Sequence, residues 1–240
     1  TGEGWYNSDA QQGLGIWKSS DGGASWSQLA STNNSTFYYV QKIVVDDQNN
    51  VFACTRNGGI QKSSDGGSTW TKILAVGVNG GGNNFAADLE IASNGLLYCA
   101  LGNIYNTPGG IYQSSNGGTT WVNITPSGTS GRRIELAAAP SNSDIVYALF
   151  HSTSTQDCSA IQRYNATSNS WTACTVPTII DQGSNSNFTR GQAWYDLTAA
   201  VDPNKAGSVY IGGVDALRSD DSGTTWTQMS TWSLYAATGF

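Results

Sequence analysis

Six carboxylates in this 240-residue chain lie outside its obvious turns: Glu3, Asp88, Glu90, Glu135, Asp196 and Asp215. Each falls in, or beside, a stretch that reads as an inner strand or a loop feeding one. Two such groups held ~5–9.5 Å apart across a cleft would suit hydrolysis of a glycosidic bond, one donating a proton and the other activating water or attacking. Asp215, Asp196 and Glu3 are the candidates for that role. The plainer reading is that these carboxylates are solvated or bonded to loop amides. His151 is the only histidine. No Ser or Cys motif accompanies it, so it reads as a loop residue before it reads as a catalytic base. Aromatic pairs offer binding chemistry instead. Trp5-Tyr6 fills the loop after the first strand, while Phe37-Tyr38-Tyr39 and Trp194-Tyr195 each precede an inner strand. Rings in such loops can stack on a sugar or a peptide, and His151 joins them as a ligand-binding candidate. Packing between sheets is the competing use of each ring. No metal spacing is present, since there is one histidine and no Cys-x-x-Cys. No cofactor is implied.

Composition narrows the elements that must position these groups. Charged residues make up 12% of the chain, glycine supplies 29 positions, and there are 9 Trp and 11 Tyr against a single Met. Many turn formers and aromatics with few helix formers point to short strands joined by tight loops. The net charge of −6 argues against nucleic acid, because phosphate binding needs clustered cations. The eleven Lys and Arg are scattered, with Arg132-Arg133 the one adjacent pair. No apolar run approaches the ~20 residues of a membrane helix. Low charge with abundant Ser, Thr, Asn and Gly accords with an extracellular or cell-surface protein, acting on a polysaccharide or a surface protein.

Internal repetition is the stronger signal. Ser19-Ser20-Asp21-Gly22-Gly23-Ala24-Ser25-Trp26 returns as Ser63-Ser64-Asp65-Gly66-Gly67-Ser68-Thr69-Trp70. It returns again as Ser114-Ser115-Asn116-Gly117-Gly118-Thr119-Thr120-Trp121 and as Ser219-Asp220-Asp221-Ser222-Gly223-Thr224-Thr225-Trp226. Between them, Tyr164 to Trp171 keeps the tryptophan, with Ala166 and Ser168 in the Asp and Gly places. Trp26, Trp70, Trp121, Trp171 and Trp226 lie 44, 51, 50 and 55 residues apart. A turn logic is evident: the Asp carboxylate can accept from amides of its own loop, and glycine at the fifth place permits positive φ. Asn116 can accept likewise. Around each turn the strand pattern repeats. In the second unit the spacing predicts strands at 42–46, 51–55, 60–63 and 70–74. First strands of later units are predicted at 89–92, 134–138 and 197–201. Four antiparallel strands per ~50 residues is the plan of a propeller blade. The acids Asp46, Asp47, Asp202, Asp220 and Asp221 fall in turns and read as structural.

These octapeptides resemble the Asp-box (BNR) repeat S-x-D-x-G-x-T-W, found in sialidases, sortilin-type receptors, xyloglucan-cleaving glycosidases and secreted bacterial repeat proteins. The last group looks most alike. The resemblance implies an all-β propeller with about five four-stranded blades over residues 1–240, a single domain that is either a closed ring or a piece of a longer secreted protein. It implies a structural role for Asp21, Gly23, Trp26, Asp65, Gly67, Trp70, Asn116, Gly118, Trp121, Asp221, Gly223 and Trp226, on the blade periphery. Sialidase activity is poorly served, because Arg132-Arg133-Ile134 lacks the Pro of that family's Arg-Ile-Pro signature. The Gly212–Asp215 stretch is similar, over one residue, to the place of a catalytic Asp in xyloglucan-cleaving enzymes. A binding or scaffold module is therefore the first expectation and an Asp-box glycoside hydrolase the alternative. Assembly in photosynthetic membranes, a third use of the repeat, has no residue here to carry it.

Residues 1–4 and 15–19 read as the second and third strands of the first unit, and 233–239 as an inner strand that could complete it. Cys158 and Cys174 flank a predicted hairpin and suggest a disulfide across it. Cys54 and Cys99 fall at matching places inside apolar strands and read as buried thiols.

Overall fold

The computed structural model describes residues 2–4, 10–56, 58–74, 85–102, 110–129, 131–181 and 183–233. The chain divides into two compact units, Thr1–Ile91 with Gly95–Ile124, and Ala92–Asn94 with Thr125–Phe240.

In the first unit, β1 (Trp17–Lys18) pairs with β2 (Ser27–Gln28) alone. β3 (Val40–Val45), β4 (Val51–Thr55), β5 (Gly59–Ser63) and β6 (Thr71–Leu74) form an antiparallel meander. β7 (Ala86–Ile91), β8 (Leu97–Leu101), β9 (Gly110–Ser114) and β10 (Val122–Asn123) repeat it. The second unit holds two more meanders. One is β11 (Ile134–Ala138), β12 (Ile145–His151), β13 (Cys158–Asn165) and β14 (Ser170–Cys174). A hairpin of β15 (Thr178–Asp181) and β16 (Ser184–Asn187) follows, and β17 (Thr198–Val201), β18 (Val209–Gly212), β19 (Ala216–Ser219) and β20 (Thr227–Gln228) close the series. Within each unit the first strands of successive meanders are neighbours, β3 beside β7 and β11 beside β17. Four-stranded meanders stacked through their faces are the blades of a β-propeller, and the chain is all-β as its turns predict.

Second strands are continuous apolar runs because they are covered on both faces. All seven residues of β12 are buried, and so are all five of β8. Tyr147, Leu149, Ile161, Phe188, Leu197 and Ile211 lie in the core of the second unit, and Phe52, Cys54, Ile60, Leu89, Leu97 and Cys99 in that of the first. Cys54 and Cys99 are fully buried free thiols, as their strands predict.

The octapeptides form the turns between third and fourth strands. In the second of them, Asp65 Oδ1 accepts from the Thr69 amide at 2.9 Å and the Ser63 hydroxyl at 2.8 Å, while Oδ2 takes the Thr69 hydroxyl at 2.6 Å. Ser63 Oγ in turn accepts from the Gly67 amide at 2.8 Å. Asp21 and Asp221 repeat this set. Asn116 keeps it by reversing one bond, its amide donating to Thr120 Oγ1 at 2.8 Å. The turn without Asp and Gly uses different means: Thr167 donates to Asp144 Oδ2 at 2.6 Å, and Asn169 takes the positive φ of 47°.

At three of the four turns the fifth-position glycine also lets the preceding blade approach. A Cβ on Gly67 would stand 2.4 Å from Leu29 Cδ1, and one on Gly118 2.3 Å from Ile73 Cδ1. On Gly223 it would meet Cys174 Sγ at 2.7 Å. Leu29, Ile73 and Cys174 all stand three residues beyond the repeat tryptophan. This explains a correction. Cys158 and Cys174 are free thiols and do not form the expected bridge. Cys174 is registered against Ile161 and Cys158 against His151. A three-residue offset along a strand is ~10 Å, beyond the ~4.4–6.8 Å between bridged Cα atoms. The Cys174 thiol instead fills the place of an aliphatic plug against the next turn.

Two expectations at the ends also change. Residues 2–4 form no strand, and the third strand of the first blade is only Trp17–Lys18, shorter than 15–19. Most of the 233–239 segment lies outside the described residues. Two first strands open earlier than the pattern predicts, at 40 and 86 in place of 42 and 89, where a β-bulge shifts register between Val40 and Lys42 and between Ala86 and Asp88.

Candidate functional site

Loops that do not repeat carry the remaining polar chemistry, and in the second unit they gather where β11 and β17 begin. Arg133 precedes β11 and is 5% exposed. Its guanidinium donates to Glu135 Oε2 at 3.1 Å and to the Leu197 carbonyl at 2.5 Å. The two-residue spacing puts Arg133 and Glu135 on one face of the strand. Beside them stands Asp196, one residue before Leu197. Its carboxyl is half-buried, with Oδ1 shielded from solvent and without a hydrogen-bond partner. Burial raises its pKa to about 6, against the opposing pull of Arg133. His151, at the end of β12, is fully buried; Nε2 meets Gln156 Oε1 at 3.1 Å and Nδ1 has no partner. Burial depresses its pKa, and the nearby Arg133 and Arg132 add to the effect. A neutral histidine there holds the 152–157 loop.

That loop receives the next. Asp157 Oδ1 accepts from the Gly191 amide at 2.7 Å and from Thr189 Oγ1 at 3.2 Å, while the Gln156 carbonyl accepts from Ala193 N at 3.0 Å. Positive φ at Arg190 (48°) and Gly191 (76°) bends the chain between them. The bend aims Arg190 at Asp215, whose Oδ2 it reaches at 3.1 Å. Asp215 is fully buried and its Oδ1 accepts from the Trp232 amide at 2.8 Å. The Arg190 guanidinium lies over the Trp232 ring, 5.1 Å from its centroid. Trp194 and Tyr195 pack with their rings tilted by 53° and centroids 5.4 Å apart. Tyr195 and Trp232 are 46% and 49% exposed.

In the first unit, the bulges bring Lys42 of β3 to β7. Lys42 Nζ sits 3.0 Å from Asp88 Oδ1 and also contacts Glu90. Burial alone would depress its pKa, but the two carboxylates outweigh that and hold the ammonium above its ordinary value. Arg56 stacks on Tyr39, 4.4 Å from the ring centroid. Glu3 donates its backbone amide to the Gln11 carbonyl at 3.0 Å. Trp5 and Tyr6 lie outside the described residues.

Of the sequence candidates, then, Asp196, His151, Trp194 and Tyr195 share the loop face of the second unit. Asp215 is on the same loop system but is engaged by Arg190 and a backbone amide, so it and Asp196 have different partners. Arg133, Arg190 and Trp232 were not legible as site residues. The one available signal was the spacing of 55 residues between Trp171 and Trp226, the longest in the chain, which marks an insertion. Among the described residues, no group of three or more His, Cys, Asp or Glu is placed to hold a metal, and no helix is long and apolar enough to cross a membrane.

No family model matches the chain, and no curated protein matches it. Its structural neighbours are β-propeller proteins. A GH74 enzyme from Niastella koreensis aligns with a TM-score of 0.68 at 23% identity, over 94% of this chain and 35% of that one. The GH74 xyloglucanase from Xanthomonas campestris aligns at 0.64 and 15% identity, over 92% of this chain and 36% of the enzyme. YCF48 from Cyanidioschyzon merolae aligns at 0.57 and 16% identity, over 90% and 66%. The chain thus spans about a third of the GH74 proteins it matches. At these identities the likeness shows the fold.

Proposed function

We propose that this chain is an extracellular, non-catalytic β-propeller of the Asp-box type, one domain over residues 1–240, whose loop face in the second unit binds polysaccharide. The observation that carries the reading is the pair of exposed rings, Tyr195 and Trp232, set on one loop system by the Arg190–Asp215 pair. Exposed rings fixed by packing offer a stacking surface at small entropic cost. Four of the candidate carboxylates have other occupations: Asp88 and Glu90 pair with Lys42, Glu135 with Arg133 and Asp215 with Arg190. Affinity electrophoresis through soluble β-glucans, xyloglucan among them, tests this. Retardation that falls about tenfold in affinity on Tyr195→Ala or Trp232→Ala is expected. Unretarded parent protein across neutral, acidic and branched polysaccharides would sink it.

A hydrolase reading is favoured by one observation, the Asp196 carboxyl held at about 6, a value suited to a general acid. The GH74 likeness agrees with it. Release of reducing ends from xyloglucan, abolished by Asp196→Asn, would replace the binding module with an enzyme.

A further inference from the structure

His151, the only histidine of the chain, starts a relay between two loops of the second unit. Gln156 Nε2 donates to the Thr153 carbonyl at 2.7 Å, which leaves Gln156 Oε1 to accept from the histidine at 3.1 Å. That acceptor fixes the tautomer: Nε2 carries the hydrogen and Nδ1 keeps its lone pair. Nδ1 is shielded from solvent and has no partner. Gln156 passes the contact on, since its carbonyl accepts from the Ala193 amide at 3.0 Å. Beside it, Asp157 Oδ1 holds the Gly191 amide at 2.7 Å. One neutral imidazole thus anchors 152–157, and that loop anchors 189–196, which carries Tyr195.

Both loops are held in strained backbone. Gln156 and Arg190 have positive φ, 62° and 48°, and side-chain-bearing residues keep that conformation only while their surroundings impose it. The groups around the ring oppose a second proton. Arg132 and Arg133 flank it from the start of β11, where the Arg133 carbonyl accepts from the His151 amide at 3.0 Å, and their charges disfavour another cation. Asp157 favours one, but its Oδ1 is engaged by Gly191 and Thr189. Cys158, opposite on β13, is a neutral thiol because burial pushes its pKa up to about 12. Glu135 and Asp196 act on Arg133 in turn. A hydrogen on Nδ1 would be a buried donor without an acceptor, beside two guanidinium groups.

We infer that His151 is an acid-sensitive latch: a second proton on its ring breaks the fit to the 152–157 loop, and that loop then releases 189–196. In the opened form the ring titrates near its ordinary value of about 6.5, while the closed form resists the proton. Opening is therefore linked to proton uptake. The closed state is fully favoured above about pH 6.5 and loses ground as pH falls below it. The open fraction grows by at most about tenfold per pH unit, until the closed form takes the proton itself. The latch stands whatever the loop face binds, because its readouts are backbone amides and the ring.

Amide hydrogen exchange of the full chain, expressed as protection factors between about pH 7 and pH 5.5, tests this; ordinary carboxylates stay ionised throughout that range. Asp196, which titrates at about 6, works in the other direction, since the closed form binds its proton more tightly. Protection of the Ala193 and Gly191 amides is expected to fall several-fold. The amides of 146–149 in β12, paired on both sides, should keep theirs. His151→Gln retains a donor for Gln156 Oε1 and cannot take the proton, so protection of Ala193 should match the parent at neutral pH and no longer fall. The nitrogen NMR spectrum of the single imidazole gives a reading that needs no variant: at neutral pH, hydrogen on Nε2 and none on Nδ1. Protection that stays flat in the parent overturns the latch, as does a fall that survives in His151→Gln. An imidazole with its hydrogen on Nδ1, or already cationic at neutral pH, overturns it equally.

Discussion

The octapeptide turns and the loop face of the second unit use the same residue types to opposite ends. In the turns, every carboxylate oxygen of Asp21, Asp65 and Asp221 has amide or hydroxyl donors, and those donors lower each pKa to about 2, side-chain bonds from Ser25, Thr69 and Thr225 being the largest cause. On the loop face, Asp196 keeps an oxygen without a donor and is pushed the other way, to about 6. A carboxylate answered by its own loop has its chemistry spent on the fold. One that is half-buried and unanswered titrates closer to neutrality and remains available to a ligand.

The largest test of that contrast is Arg133→Met. Arg133 is the cation that the loop face is built around, holding Glu135, the Leu197 carbonyl and the field at Asp196. Removing it strands buried acceptors, and a loss of about 3–5 kcal/mol is expected, measured by urea denaturation. A loss below about 1 kcal/mol would mean that the loop face tolerates vacancy as readily as an exposed ion pair does. Restoring charge with Arg133→Lys should recover only part, because a shorter and more strongly hydrated ammonium must be buried to reach the two oxygens that the single nitrogen Nη2 serves.

The turns can be probed in the same units. Gly118→Val adds a Cβ 2.3 Å from Ile73 Cδ1 at a φ of 87°, so it combines overpacking with backbone strain. About 1–3 kcal/mol of destabilisation is expected from the packing alone. Gly23→Val meets no neighbouring blade at a similar φ of 94°, so it carries the strain without the clash and should cost less. Ile73→Ala combined with Gly118→Val should recover stability relative to the sum of the single changes. Strict additivity would mean the joint does not couple the blades.

The same contrast explains what was legible beforehand. The turns repeat in register, so the strand order of four blades, the role of Asp65 and the need for glycine at 67 and 118 could all be read from spacing. Strands 51–55 and 134–138 were placed to the residue. Where register shifts by a bulge, as at Lys42 and Asp88, the pattern lost two or three residues. Cys174 misled because a hairpin was visible and its register was not. It stands where Leu29 and Ile73 stand, and that equivalence was present in the sequence as three residues past each tryptophan. The loop face occurs once, so no repeat marks it. Arg190 and Trp232 lie 42 residues apart in the sequence and meet only because Asp215 receives both.

The smallest effects are in pH, and their signs are opposite. Asp196 titrates at about 6 folded against 3.8 unfolded. Its penalty is absent below the lower value, grows between them and is complete above the higher. Asp196→Asn should therefore stabilise the protein at pH 7 and lose that advantage below about pH 4. The carboxyl is half open to solvent, so screening reduces the gain to on the order of 1 kcal/mol. Asp21, Asp65 and Asp221 titrate at about 2 folded against the same 3.8. Their contribution is present above pH 3.8 and is lost as pH falls toward 2. Replacing all three with Asn, as Asn116 already does in its own turn, should leave Tm at pH 7 little changed and flatten its fall between pH 4 and 2. Thermal melts across pH 2–8 read both arms on one axis. If the two variants bend the profile in the same direction, the division between spent and available carboxylates is wrong, because one of the groups has been assigned to the wrong side.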